Sequence, residues 1–142
     1  MGKSSRHQVT TDVHLVLLKG NEALFGRRKS TNYEDGAYHL PSGHLEAGES
    51  VVTALIREAK EEIGVTIESE AVEFVHVMHN SSGGGRAAFF FTVRTWDGQP
   101  DNREPEKCSE LAWYPLDALP GHMIDYCRTA LEYIAAGRPF SI

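Results

Sequence analysis

This sequence predicts an α/β protein, an α/β/α sandwich with a mixed β-sheet between its helices, and three observations lead there. Short apolar runs rich in branched residues alternate with polar turns, two longer segments carry apolar residues at 3.6-residue spacing, and several of the strand runs are close enough in sequence to pair as hairpins. The 142 residues, 41% hydrophobic and 24% charged, have the balance of an ordinary globular protein. No composition shift marks a boundary, so residues 1–142 are expected to form one domain around one core.

Residues 1–8 are polar and are expected to be a loose terminus. Val13-His14-Leu15-Val16-Leu17-Leu18 reads as a buried strand closed by Lys19-Gly20-Asn21, with residues 23–26 as its hairpin partner. A polar loop over 30–36 leads to a short extended piece, Tyr38-His39-Leu40. Pro41 ends that piece by removing a backbone donor and fixing its own φ. After a turn at Ser42-Gly43 the pattern becomes helical. Over residues 50–63, Val52, Leu55, Ile56, Ala59 and Ile63 fall on one stripe, and Gly64 supplies the stop. Residues 71–79 and 87–95 read as two strands joined by the turn Asn80-Ser81-Ser82-Gly83-Gly84-Gly85, and a further strand is expected over 111–114. A last helix over 123–136 carries Ile124, Cys127, Leu131, Ile134 and Ala135 at helical spacing and ends at Gly137.

The charge balance narrows the function classes. With 20 acidic against 14 basic residues the formal net charge is -6, and Arg27-Arg28-Lys29 is the only short basic cluster. That disfavours duplex nucleic acid as a partner. No apolar run is long enough to span a bilayer, which argues against a membrane partner. Cys108 and Cys127 have no C-x-x-C partner, and with no secretory or transmembrane segment apparent they read as reduced thiols of a cytoplasmic protein. Seven histidines are present without H-E-x-x-H or other zinc-ligand spacing, Ser42 does not lie in G-x-S-x-G, and Gly83-Gly84-Gly85 lacks the Lys-Ser/Thr of a P-loop. An acidic protein acting on an anionic phosphate substrate needs bound metal or placed arginines, and this sequence offers both.

Glu58, Glu61 and Glu62 sit at i, i+3 and i+4 of the central helix, within an arc of roughly 100° that lies away from the apolar stripe. Glutamate-rich helix faces are ordinarily solvated surface, and on these three residues alone that reading stands. Their surroundings reverse it. Gly43 is followed after five residues by Glu49, after seven more by Arg57-Glu58, then by Ala59, Lys60, Glu61-Glu62, Ile63, Gly64 and Val65. This stretch resembles the signature of the Nudix hydrolases, G-x5-E-x7-R-E-U-x-E-E-x-G-U, where U is a bulky aliphatic residue. Ala59, smaller than usual at the first U, is the one soft departure. Spacing alone lets Glu49 and Arg57 pair and brace the loop against the helix, and the resemblance implies that role.

The resemblance further implies a Nudix-type sandwich and a hydrolase of phosphoanhydrides dependent on Mg²⁺, with Mn²⁺ as a possible substitute. Hard cations of this kind prefer carboxylate oxygens. By the same resemblance Glu58 and Glu62 are the expected direct ligands, Glu61 assists directly or through water, and the Ser42 backbone carbonyl is a further oxygen. Glu58 is the first choice of general base, and Glu106 is the candidate for a carboxylate entering from a later loop. Arg28, by its spacing to the signature, matches the arginine that meets substrate phosphates; a pair of solvated edge-strand charges at Arg27 and Arg28 is the competing reading. The Glu104-to-Trp113 stretch is similar to a loop of relatives that cleave nucleoside triphosphates. Gly43 belongs to the substrate turn, where glycine is expected to permit a backbone path closed to other residues. Tyr38, Phe91 and Trp113 are candidate stacking partners for a base, against plain core roles. The expected substrate is a small nucleotide, foremost a nucleoside triphosphate yielding monophosphate and pyrophosphate. Nucleotide sugars, ADP-ribose and dinucleoside polyphosphates are the alternatives, and a nucleotide-binding module without catalysis is the alternative of another class. Either a monomer or a homodimer fits the sequence.

Overall fold

The computed structural model describes residues 6–142. Its strands are β1 (Thr10–Lys19), β2 (Glu22–Arg28), β3 (Tyr38–His39), β4 (Ser42–His44), β5 (Val72–Asn80), β6 (Arg86–Val93), β7 (Cys108–Pro115) and β8 (Phe140–Ser141), and its helices are α1 (Val51–Ile63) and α2 (Asp125–Ala135). Of the expected loose terminus, residues 1–5 lie outside the described residues. Beyond them, His7 donates from Nε2 to the Gly84 carbonyl (2.9 Å), so this stretch is tied to the β5–β6 turn.

The sheet is mixed, as the alternation of hairpins and helices predicts. Its path runs β3-β2-β1-β6-β5-β8, with β4 also pairing to β1 and β7 to β2. β6 lies parallel to β1 along Thr10 to Leu17, whereas β2 and β4 meet β1 antiparallel at opposite ends of the strand. Because strand side chains alternate between faces, the apolar run in β1 feeds two cores. Val13, Leu15 and Leu17 pack with Leu55, Ala59 and Ile63 of α1, and Val16 and Leu18 pack with Cys127, Ala130 and Leu131 of α2. Each such buried Leu or Ile contributes about 1.5–3 kcal/mol relative to an exposed one. The result is the expected α/β/α sandwich.

α1 begins where the Ser50 hydroxyl accepts from the Thr53 amide (3.1 Å) and ends at Gly64, whose φ of 73° turns the chain out of the helix. Most bounds shift by one to three residues, and two differences bear on the site. Ser42-Gly43, expected as a turn, belongs to a strand paired with Asp12 to His14, and the strand expected at 111–114 starts at Cys108. Both extensions are held by backbone pairing of polar or small residues, which leaves no hydrophobic pattern to read. None of the described helices is long and apolar enough to cross a membrane.

Candidate active site

A cleft of about 700 Å³ opens where β1, the end of β2, the 39–44 segment, α1 and the loop over 102–108 converge. The Leu15 amide donates to the Pro41 carbonyl (2.8 Å), and the Ser42 amide donates to Glu62 Oε1 (3.1 Å), so the 39–44 segment is fixed between the sheet and α1. Gly43 is required for a reason other than the one its sequence suggests. Its φ is not in the left-handed region, and a Cβ there would overlap the Glu58 carboxylate. Glycine at this strand position leaves room for the Glu58 carboxylate, which a larger residue would displace, and this corrects the backbone-path argument.

Arg57 organises the acidic face. Its Nε and Nη2 donate to the two oxygens of Glu49 (2.6 and 2.9 Å), its Nη1 to Glu58 Oε1 (2.7 Å) and Glu61 Oε1 (3.1 Å), and Nη2 also to the His44 carbonyl (3.1 Å). This is the two-pronged pairing that arginine makes and lysine cannot. The Arg57 hydrogen bond holds the Glu49 carboxyl below its ordinary value, and the same bond pushes the guanidinium pKa up. Arg57→Lys is expected to lower kcat/KM about 10- to 100-fold while leaving the protein folded, the usual loss when a partner that orients metal-site carboxylates is removed. Steady-state kinetics with circular dichroism checks it, and unchanged kinetics would remove the bracing role.

Glu58 and Glu62 approach each other within hydrogen-bonding reach, and both carboxyls lie above their ordinary value. Burial is the main cause for each. Arg57 counteracts it at Glu58, while the charges of Glu58 and Glu104 drive Glu62 further up. Glu104 is brought here by a loop moored to the C-terminal end of α1. The amides of Asp101 and Arg103 donate to the carbonyls of Ile63 and Glu62, and the Asn102 side chain donates to the Cys108 carbonyl (2.7 Å). Glu106, the residue expected from this loop, is not among those lining the cleft, whereas Glu104 and Lys107 are. A turn without periodicity does not reveal which of two neighbouring carboxylates faces inward.

Among the described residues no three acidic, histidine or cysteine side chains are already gathered at ligating distance, since Arg57 engages oxygens of both Glu58 and Glu61. The donor set nevertheless fits a hard divalent cation. Glu58, Glu62 and Glu104 bring partly buried carboxylates into one cleft, where such an ion relieves their mutual repulsion, and Glu61 lines the same cleft.

Arg28 and Gly43 line the cleft. Arg28 donates from Nε to the Tyr33 carbonyl (2.9 Å) and from Nη2 to Thr31 Oγ1 (3.2 Å), which ties it to the loop after β2, and Arg27 lies on the same wall. Three aromatic candidates lie elsewhere. The Tyr38 hydroxyl donates to Glu110 Oε1 (2.8 Å), Trp113 packs against Trp96 under the Lys19 ammonium, and Phe91 is core. The sequence reading also passed over residues that do line the cleft: Asp12 with its ion-pair partners Arg86 and His44, and the rings of His14, His39 and Tyr126. One signal was available, since His14 is the only polar side chain in the apolar run over 13–18.

A glutamate-bearing helix braced by Arg57 against a glycine strand and set in a mixed-sheet sandwich is the arrangement of a NUDIX domain. The family model of that domain matches residues 7–131, and the chain belongs to the NUDIX family. It is 34% identical over 87 residues to the human 8-oxo-dGDP phosphatase NUDT18, a match covering 60% of this chain and 26% of that protein. It is 26% identical over 106 residues to the 8-oxo-dGTP diphosphatase of Escherichia coli K12, covering 75% and 81% respectively. The crystal structure of the MutT NUDIX hydrolase from Burkholderia pseudomallei superposes with a TM-score of 0.79 at 27% identity, covering 88% of this chain and 97% of that one. Several curated relatives are much longer, and the chain spans 26%, 23% and 36% of three of them.

Proposed function

We propose that the chain hydrolyses a phosphoanhydride bond in a nucleoside diphosphate derivative with the help of Mg²⁺ or Mn²⁺. We further propose that its substrate is a nucleoside triphosphate, cut between the α and β phosphorus atoms. The observation that carries this reading is the pairing, in one cleft, of the Glu58, Glu62 and Glu104 carboxylates with Arg27, Arg28 and Lys107. Anionic phosphates need cations on one side, and an attacking water needs a base on the other. What a bound divalent cation supplies is neutralisation of the phosphate charge and a more acidic water.

The chain's own residues supply the rest. Arg28 binds the phosphate chain, Arg57 fixes the carboxylates, and Glu58, whose carboxyl is raised above its ordinary value by burial and so made more basic, accepts the proton from water. The water oxygen bonds to phosphorus as the bond to the bridging oxygen breaks, and pyrophosphate leaves with that electron pair. The E. coli relative, named an 8-oxo-dGTP diphosphatase, supports a triphosphate over the alternatives.

The test is a panel of nucleoside triphosphates, ADP-ribose, nucleotide sugars and dinucleoside polyphosphates with Mg²⁺, scored separately for phosphate and pyrophosphate. Pyrophosphate release from triphosphates is expected. Rapid cleavage of ADP-ribose or a nucleotide sugar beside inert triphosphates would overturn the substrate and leave the carboxylate site standing. Arg28→Ala is expected to lower kcat/KM by roughly one to two orders of magnitude, mostly through KM, the loss of one or two charge-assisted contacts. An unchanged KM would return Arg28 to an edge-strand charge that only organises its loop.

A further inference from the structure

We propose that His14 is a specificity-determining residue of this cleft: its imidazole hydrogen-bonds the base of the nucleotide. The inference rests on reading the cleft as a nucleotide site. It starts from the placement of a polar ring in the middle of β1, where the register sets it opposite Phe90 of β6 and Ser42 of β4. His14 is 1% exposed and lines the cleft, yet neither Nδ1 nor Nε2 has a hydrogen-bond partner among the described residues. Buried polar side chains ordinarily find partners, and one left without them calls for a ligand, a water or a functional reason.

The rings around His14 define what that ligand is. Phe90 stacks on His14 at 4.5 Å between centroids, and His39 and Tyr126 stand at 5.7 and 5.8 Å. His39 is already satisfied. Its Nδ1 contacts the Leu40 carbonyl and must carry the proton, so its Nε2 accepts from the Tyr126 hydroxyl (2.7 Å). The Tyr126 oxygen is left as an acceptor. His14 itself is held neutral, chiefly by burial and further by the charges of His39, Arg86 and His44, and so offers one donor and one acceptor. Aromatic rings bearing a neutral donor, a neutral acceptor and a phenolic acceptor, with the Asp12–Arg86 ion pair lining the same cleft, suit a flat, uncharged, polar-edged heterocycle. They do not suit a phosphate or a sugar alone. A half-turn of the ring about Cβ–Cγ keeps its envelope and exchanges its carbon and nitrogen edges.

The test reads binding without turnover, so it stands apart from the hydrolysis assay. The imidazole nitrogens of the ¹⁵N-labelled full chain are followed by NMR, with His14 assigned through His14→Phe. AMP, GMP, CMP and UMP are titrated in turn, with ribose 5-phosphate as the base-free control. At least one nucleotide is expected to shift both His14 nitrogens while ribose 5-phosphate leaves them unmoved. In His14→Phe, which keeps a flat ring beside Phe90, that nucleotide should bind about five- to tenfold more weakly, and ribose 5-phosphate as before. No response to any of the four, an equal response to ribose 5-phosphate, or undiminished binding by a folded His14→Phe would each overturn the assignment. If His14→Phe does not fold, the wild-type comparison of nucleotide with ribose 5-phosphate decides alone. Failure of triphosphate hydrolysis with this NMR response intact would refute the proposed reaction and leave the base contact.

Discussion

Glu62→Gln is expected to reduce kcat by about 10²- to 10⁴-fold, the scale on which a group acting on the reacting atoms contributes, and Glu58→Gln to do the same. The substitution keeps the side chain's shape and leaves an amide oxygen to accept from the Ser42 amide, so the fold survives. Stability should move the other way. Burial and the charges of Glu58 and Glu104 work against an ionised Glu62, and its removal relieves them. In chelator, the Tm of Glu62→Gln is expected to rise by about 2–4 °C, the shift that about 1 kcal/mol produces at this chain length. Less activity with more stability is the mark of a functional carboxylate. Near wild-type turnover in both variants would return the helix face to ordinary solvated surface.

The second large effect is loss of metal. In excess chelator turnover should fall to background, because the carboxylates alone repel the substrate's phosphates. Mg²⁺ or Mn²⁺ should restore it and Ca²⁺ should do so poorly, since calcium tolerates looser geometry. Full turnover with metal shown to be absent would falsify this dependence. A pH signature accompanies it. Glu62 is raised in the folded state above its ordinary value of 4.5, so between the two values the folded chain holds the extra proton. Its contribution to stability is present below about pH 4.5 and is lost as pH rises through the folded value. Added Mg²⁺ displaces that proton and flattens the loss. His14 and His39 lie below 6.5, His39 at about 4, and they shift stability oppositely, raising it as pH climbs toward 6.5 with or without metal. The difference in Tm between Mg²⁺ and chelator, measured against pH, therefore isolates the carboxylates. A difference that does not change with pH would contradict the upward shift at Glu62.

What the sequence discloses follows the reach of each signal. α1 and the two-sided core of β1 are legible because apolar spacing is local and repeated, and Glu49, Arg57, Glu58, Glu61 and Glu62 are legible because their intervals are fixed along one helix and its approach. The strand at Ser42–His44 is not legible, being short and held by backbone bonds to Asp12, Val13 and His14. Glu104 rather than Glu106 faces Glu62 because amides of the loop bond to the end of α1, a contact that leaves no mark on composition. Trp113 follows the same alternation as Leu111, which lines the cleft, but two residues further along β7 it meets Trp96. His14 stands out in an apolar strand, yet only the fold shows that its nitrogens are unpaired.

The parallel pairing of β1 with β6 also governs how the chain reaches this state. Every pair in that register joins residues 76 apart, from Thr10 with Arg86 to Leu17 with Val93. Closing so long a loop carries an entropic cost before any contact offsets it, and such pairings slow folding. During synthesis, β1 leaves the ribosome long before its parallel partner exists, and its edge stays open until the β5–β6 hairpin has been made. Asp12 and His14 sit on that strand and Arg86 begins the late one, so this wall of the cleft cannot take shape by halves and must arise together with the sheet.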